Sequence, residues 1–255
     1  MPVADPIPRM AVVMTTLSRT IPHPRSSPRP ALTRRPPAPL SLPTGRMTAH
    51  PSDRLKAAAD FLVGAGLLIV TLPILVMAML AVKLTSRGPA MYTQSRVGQG
   101  GHLFTIFKLR TMMHECESLT GPRWSLPGDP RITPVGKVLR ALHIDELPQL
   151  WNVIRGDMSL IGPRPERPEI CAEIRREVHG YDRRHAVKPG ITGFAQIHLP
   201  PDSSMNTVRN KLVFDRFYIV HRGLWMELTI LFCTALKLVG LRRLYELHPR
   251  WLREE

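Results

Sequence analysis

A chain of 255 residues has room for one domain with appendages, and its 35 lysines and arginines against 20 acidic residues leave a formal net charge of +15. Such an excess calls for a polyanionic partner: nucleic acid, an anionic membrane surface or phosphorylated substrates. Cys116, Cys171 and Cys233 stand far apart with no CxxC pair, so neither a disulfide framework nor a zinc site is expected, and a reducing, cytosol-facing compartment is the default.

Residues 1–50 are crowded with Pro, Arg, Ser and Thr. They offer too little apolar surface to offset the entropy of ordering, so a disordered tail is expected. The stretch lacks the continuous apolar core of a signal peptide. An Arg-rich transit-type segment and a true start at Met47 are the other readings.

From Phe61 to Val82 no residue is charged. As a helix it would be about 33 Å long, enough to cross a hydrocarbon layer about 30 Å thick. A buried core helix is the soluble alternative. Pro73 predicts a bend, and Gly64 and Gly66 loosen the first half. Arg54 and Lys56 precede the segment; Lys83, Arg87 and Arg96 follow it. A spanning helix normally has unequal flanks. Two basic flanks fit a helix that enters the membrane, breaks near Pro73 and returns to the same face, without excluding a plain span.

Next, Ala90 to Gln94 reads as a short strand, Gly98 to Gly101 as a hairpin turn and Leu103 to Leu109 as a second strand. Lys108 and Arg110 fall on the same side by the period of two, an arrangement suited to a diphosphate or to a solvated edge. Gly128 to Arg131 reads as a loop, and Val135 to Leu142 as a helix carrying Lys137 and Arg140.

His143-Ile144-Asp145-Glu146-Leu147-Pro148-Gln149-Leu150 follows. Proline is tolerated in a first helical turn, so a helix is predicted from near Asp145 through Ile154, with both carboxylates at its positive end. A plain N-cap role for Asp145 is the competing reading. Arg155, Arg164, Arg167 and Lys188 cluster in loops rich in Gly and Pro. Arg167 to Tyr181 reads as a charged, solvated helix, and Val187 to Gly193 as a rigid turn. Leu224 to Leu241 is mostly apolar with Trp225 and basic residues at its edges. That pattern fits a helix lying on a membrane, or a core helix.

Several of these runs together resemble one family. Asp145-Glu146-Leu147-Pro148-Gln149-Leu150-Trp151-Asn152-Val153 and Gly156-Asp157-Met158-Ser159-Leu160-Ile161-Gly162-Pro163-Arg164-Pro165 are similar to the bacterial sugar transferases, monotopic phosphoglycosyl transferases that act on polyprenyl phosphates. Phe107 to Met112 resembles the family's basic strand, and Lys188 to Gln196 its later motif. The resemblance runs over roughly residues 52–245, in the short form of the family, and rests on several long motifs in the right order.

The resemblance implies transfer of a sugar-1-phosphate from a UDP-sugar to undecaprenyl phosphate with release of UMP. That would be the initiating step of exopolysaccharide, O-antigen, capsule or glycoprotein glycan synthesis. It puts the nucleophile on Asp145, a magnesium-associated carboxylate on Glu146 and a phosphate contact on Arg164. Lys108, Arg110, Arg140, Pro165, Lys188 and Asp215 complete the candidate substrate-binding residues. Two departures stand out. The family's re-entrant helix is broken at a Ser-Pro, where this chain has Leu72-Pro73, with Thr71 near enough to bond a freed carbonyl. After Gln196 the chain runs Ile197-His198-Leu199-Pro200-Pro201-Asp202 in place of an Asn-Gly-Arg-like stretch.

The expected fold is α+β, mainly helical. A tail (1–50) and a re-entrant membrane helix (51–88) precede a cytosolic catalytic core with a small hairpin (89–223) and a C-terminal interfacial helix (224–255). The expected place is the inner membrane, catalytic part facing the cytosol, with membrane lipids as partners and no nucleic acid. A membrane-anchored nucleic-acid binder is the reading from charge alone, but no helix-turn-helix, zinc or aromatic-stacking motif accompanies the charge. A non-catalytic scaffold would not need the intact Asp145-Glu146 pair.

Overall fold

The computed structural model describes residues 53–116, 128–202 and 204–241. The tail expected over 1–50 and the basic edge at Arg242 and Arg243 lie outside the described residues. What is described is mainly helical, with two small two-stranded sheets.

Helix α1 (Asp53–Thr85) is the longest element, 33 residues, with Asp53 in its first turn and Lys83 in its last, each opposite in sign to the helix end it occupies. It runs on through Pro73, so the break expected there is absent. Pro73 removes only the bond to the carbonyl of Ile69. Thr71 Oγ1 bonds the Leu67 carbonyl at 2.7 Å, so it does not take up the carbonyl that Pro73 frees. One lost rung leaves the unbroken ladders on either side intact. The helix is long and apolar enough to cross a membrane, and it is no buried core helix: only Asp60, Gly64, Leu75, Ala78 and Val82 are buried, in one narrow stripe.

Strands β1 (Met91–Val97) and β2 (Leu103–Leu109) pair antiparallel from Met91 opposite Leu109 to Val97 opposite Leu103. The first strand runs three residues beyond Gln94, its expected end. The turn between them needs Gly100 and Gly101, both at positive φ. Helix α2 (Pro134–Ala141) starts on a Thr133 cap whose hydroxyl accepts from Gly136 N at 3.0 Å. Helix α3 (Gln149–Ile154) packs beneath β2. Its fully buried Asn152 accepts from Phe107 N at 3.1 Å and donates to Thr105 O at 2.7 Å, locking α3 to the hairpin.

Strand β3 (Ser159–Ile161) and strand β4 (Gly190–Thr192) form a parallel pair where only a rigid turn was expected. Backbone meets backbone so closely here that a Cβ on Gly190 would stand 2.0 Å from Gly162 N. Helix α4 (Pro168–Glu177) is not the solvated helix expected, since Ile170, Cys171 and Ile174 form a buried face. Helices α5 (Phe194–His198) and α6 (Met205–His221) follow, the second opened by a capping box of Ser204 and Thr207. Helix α7 (Leu224–Leu238) buries only Ile230 and leaves Trp225 and Phe232 82% and 65% exposed, which removes the core-helix alternative.

The central core joins Ile106, Leu150, Val153, Met158, Ile161, Phe194, Tyr218 and Ile230. A second cluster lies under α4 and α6, and a third packs Leu75, Ala78 and Val82 of α1 against Leu109 and Leu139. Polar ties hold the start of α1 to α7. Lys56 pairs with Glu227 at 2.6 Å, and Glu227 accepts from the Tyr218 hydroxyl at 3.0 Å.

Candidate active site

Between α2 and α3 the chain makes one 3-10 turn, Ile144–Glu146, entered through His143 in the left-handed region. The carboxylate pair therefore sits on this turn and not in the first turn of an α-helix as expected. Pro148, itself in the N-cap position of α3, makes no side-chain cap, and Asp145 caps nothing either. The plain N-cap reading of Asp145 is thereby removed.

Glu146 is held by two cations. Lys108 Nζ lies 2.8 Å from its Oε1, and Arg164 contributes bonds of 2.5 Å to Oε1 and 3.4 Å to Oε2. Burial alone would push the Glu146 carboxyl up, but Arg164 and Lys108 overrule it and hold it well below the usual carboxylate range. Burial draws the Lys108 ammonium down, against the pull of Glu146. Arg164, in turn, is driven up by Glu146 and keeps 40% of its side chain exposed, so it can still meet a ligand.

Asp145 is the opposite case. It is 8% exposed, and its carboxylate meets no hydrogen-bond donor among the described residues. Burial and the neighbouring Glu146 charge raise its pKa, while Lys108, Arg140 and Arg164 pull it back. The two neighbouring carboxylates are thus pushed in opposite directions by different surroundings.

Of the other sequence candidates, Arg140 reaches the Thr111 hydroxyl at 2.7 Å and acts on Asp145 through its charge. The Pro165 carbonyl accepts from Arg96 at 3.0 Å. Lys188 lies beside Gly156, bonds no partner among the described residues, and is not among the charges acting most strongly on the pair. Two candidates point elsewhere. Arg110, one residue past the end of β2, turns away from Lys108 to bond the carbonyls of Ser86 and Arg87 at the foot of α1. Asp215 is buried against Arg184, at 2.7 Å, in a separate cluster with Tyr181 and Lys211.

Two further residues join the site without having been expected from the sequence. Arg96 shares a β1 face with Gln94, bonds it at 2.7 Å and faces Glu166 at 3.6 Å, so it supports the loop that carries Arg164. Its place on the alternating pattern Tyr92, Gln94, Arg96 is the signal that could have found it. Gln196, the last residue of the later motif, lies 3.4 Å from Arg164.

Among the described residues no group of three or more His, Cys, Asp or Glu comes together. Magnesium does not require one, since it is commonly held by one or two carboxylates with substrate phosphates and waters completing the shell. The unengaged Asp145 oxygens and Glu146 Oε2, which has only a long contact to Arg164, fit that pattern.

A family model described as Bacterial sugar transferase matches residues 51–240. A UDP-N-acetylgalactosamine-undecaprenyl-phosphate N-acetylgalactosaminephosphotransferase of Aeromonas hydrophila is 41% identical over 71% of this chain and 42% of its own length. An undecaprenyl-phosphate glucose phosphotransferase of Komagataeibacter xylinus is 39% identical over 70% of this chain and 35% of its own. A UDP-glucose:undecaprenyl-phosphate glucose-1-phosphate transferase of Caulobacter vibrioides is 40% identical over 76% of this chain and 73% of its own. The chain thus spans well under half of the first two relatives and about three quarters of the third. With its motifs in order and its carboxylate turn set between Lys108 and Arg164, the chain belongs to the bacterial sugar transferase family.

Proposed function

We propose that this protein transfers a sugar-1-phosphate from a UDP-sugar to undecaprenyl phosphate and releases UMP, through a covalent intermediate on Asp145. The observation that carries the reading is a buried carboxylate with no donor of its own, set beside a Glu146–Lys108–Arg164 cluster. An Asp145 oxygen attacks the phosphorus that bears the sugar, and the bond from that phosphorus to the bridging oxygen breaks. UMP leaves with the electron pair, and the sugar-phosphate remains as an acyl phosphate. An oxygen of the lipid phosphate then attacks the same phosphorus and expels the Asp145 carboxylate, giving the lipid diphosphate sugar. One anhydride is broken and one formed, and each substrate uses the site in turn.

Lys108 and Arg164 offset the charge of two anionic substrates, with Arg164 suited to grip phosphate oxygens in pairs. Glu146 keeps both cations aimed. Magnesium, held by the carboxylate pair, would neutralise charge on the diphosphate.

The reading also includes a membrane seat that α1 does not cross, at the inner membrane with the catalytic part toward the cytosol. Its buried stripe runs from Asp60 to Val82, about 33 Å of helix, against the polar body of the protein. A helix standing upright through the bilayer would drag that body into the hydrocarbon. Basic residues at both ends, Arg54 and Lys56, then Lys83 and Arg87, support two ends on one side. Cysteines engineered at Ser52 and Thr93 are expected to be labelled from the same side; one reached only from outside would make α1 a span.

The relatives differ in the sugar they are named for, so the test is a screen of UDP-sugars with undecaprenyl phosphate, scored by UMP release. One donor is expected to give turnover that excess EDTA abolishes. No turnover with any donor defeats the reading, and full activity in EDTA removes the metal from it.

A further inference from the structure

We propose that Gln196 is a positioning residue for Arg164, and that α7 reaches this arginine through it. The inference rests on Arg164 being the phosphate contact of the function proposed above.

Arg164 is a long, part-exposed side chain on a loop, and such a side chain loses much rotamer freedom when it is fixed. One of its terminal nitrogens is committed to Glu146 Oε1. The other lies 3.4 Å from Glu146 Oε2 and 3.4 Å from Gln196 Oε1, so the carboxamide shares in fixing the outer corner of the guanidinium. The same carboxamide donates from Nε2 to the Gly162 carbonyl at 3.3 Å. Gly162 stands two residues before Arg164, so one side chain grips both the backbone of the loop and the tip of its arginine. A neutral group with one acceptor and one donor suits this task. A carboxylate there would compete with Glu146 and could not donate to Gly162.

Gln196 is itself fixed from behind. Lys237 Nζ donates to the Gln196 carbonyl at 2.7 Å, and the hydroxyls of Thr192 and Thr234 lie 2.8 Å apart. Lys237 and Thr234 both belong to α7, whose outer side exposes Trp225 and Phe232. There is little slack between α5 and the loop: a Cβ on Gly193 would stand 2.1 Å from the Gly162 carbonyl oxygen. A shift of α7 is therefore passed through Gln196 to Arg164 by direct contact. A pre-set arginine binds its ligand without first being ordered.

The experiment is a double-variant cycle on the full chain in lipid nanodiscs with magnesium. The probe is UDP, which carries the diphosphate common to every UDP-sugar. Gln196→Ala is expected to weaken UDP binding about fivefold with Arg164 present and less than about twofold in an Arg164→Ala background, because a residue acting through another is not additive with it. Gln196→Met, which fills similar space without the amide, is expected to give the same pattern with an unchanged thermal midpoint. Lys237→Met is expected to weaken UDP about twofold, with Lys237→Arg restoring it. Equal losses in both Arg164 backgrounds overturn the positioning role while leaving the proposed function standing. Arg164→Ala that binds UDP like wild type overturns the phosphate-contact reading, and this inference with it. Wild-type binding by Lys237→Met removes α7 from the path.

Discussion

Asp215 and Asp145 are both buried aspartates, 3% and 8% exposed, and burial is the first cause raising the pKa of each. Their surroundings answer that burial differently. Arg184 closes on Asp215 with a hydrogen bond of 3.0 Å and an ion-pair contact of 2.7 Å to the same oxygen, and donates to the Tyr181 hydroxyl at 2.7 Å. Around Asp145 the cations are present but turned to its neighbour: Lys108 and Arg164 bond Glu146 instead. A charge that holds a fold together is sealed by its partner. On the proposed function, Asp145 has its field supplied by these cations and its lone pairs left open for attack.

The largest expected effect is at the open aspartate. Asp145→Asn should cut UMP release by about 10^4-fold, the scale for removing a covalent nucleophile. The thermal midpoint should not fall, since no bond is lost and a buried charge next to Glu146 is removed. Wild type incubated with labelled UDP-sugar and no lipid should carry one sugar-phosphate on the Asp145 peptide, and the variant none. An Asn variant that turns over normally would make direct transfer between substrates the better mechanism.

Asp215→Ala should do the reverse. Leaving Arg184 buried without its partner should cost about 3–5 kcal/mol in denaturant unfolding, with turnover per folded molecule retained. A stable but inactive Asp215→Ala would return this residue to the site. Glu146→Gln should lower turnover about 10^2-fold, because Lys108 and Arg164 lose the charge that aims them. The smallest effect belongs to Arg110→Ala, about 2 kcal/mol of stability with turnover unchanged, as befits a side chain that ties down the foot of α1. A large loss of turnover there would contradict the separation of Arg110 from Lys108.

Patterns that depend on one side-chain type at a fixed period are legible in the amino-acid sequence itself. The apolar run of α1, the β1–β2 hairpin and the span of α2 all come from that source, and the motifs locate Asp145, Glu146, Lys108 and Arg164. What is hidden are places where tertiary context overrides local pattern. In α4 the charges of Glu169, Glu173, Arg175 and Arg176 mask Ile170, Cys171 and Ile174 on one face. Helix α6 hides its inner face because Lys211 and Asp215 are buried along with Val208 and Leu212. Strands of three residues, such as β3 and β4, are too short to show alternation. Strand period puts Arg110 beside Lys108, but β2 ends at Leu109 and the period ends with it. Gln196 carries no charge to draw notice, and its role depends on a neighbour 32 residues away.

Gly64 brings α1 against α3 so closely that a Cβ there would stand 3.2 Å from Val153 Cγ1. Leu147, one residue past the carboxylate pair, packs on both the central core and the cluster around Leu75 and Val82. Helix α1 and the turn that carries Asp145 thus form one solid piece, and the position of Asp145 along that helix is decided when the chain folds. A slip of one helical turn along that contact would move it about 5.4 Å, beyond the roughly 3–3.5 Å over which attack takes place. On the proposed function, the protein works as a depth gauge: the acceptor phosphate, fixed at the headgroup plane by its own lipid tail, meets a nucleophile already cut to that level.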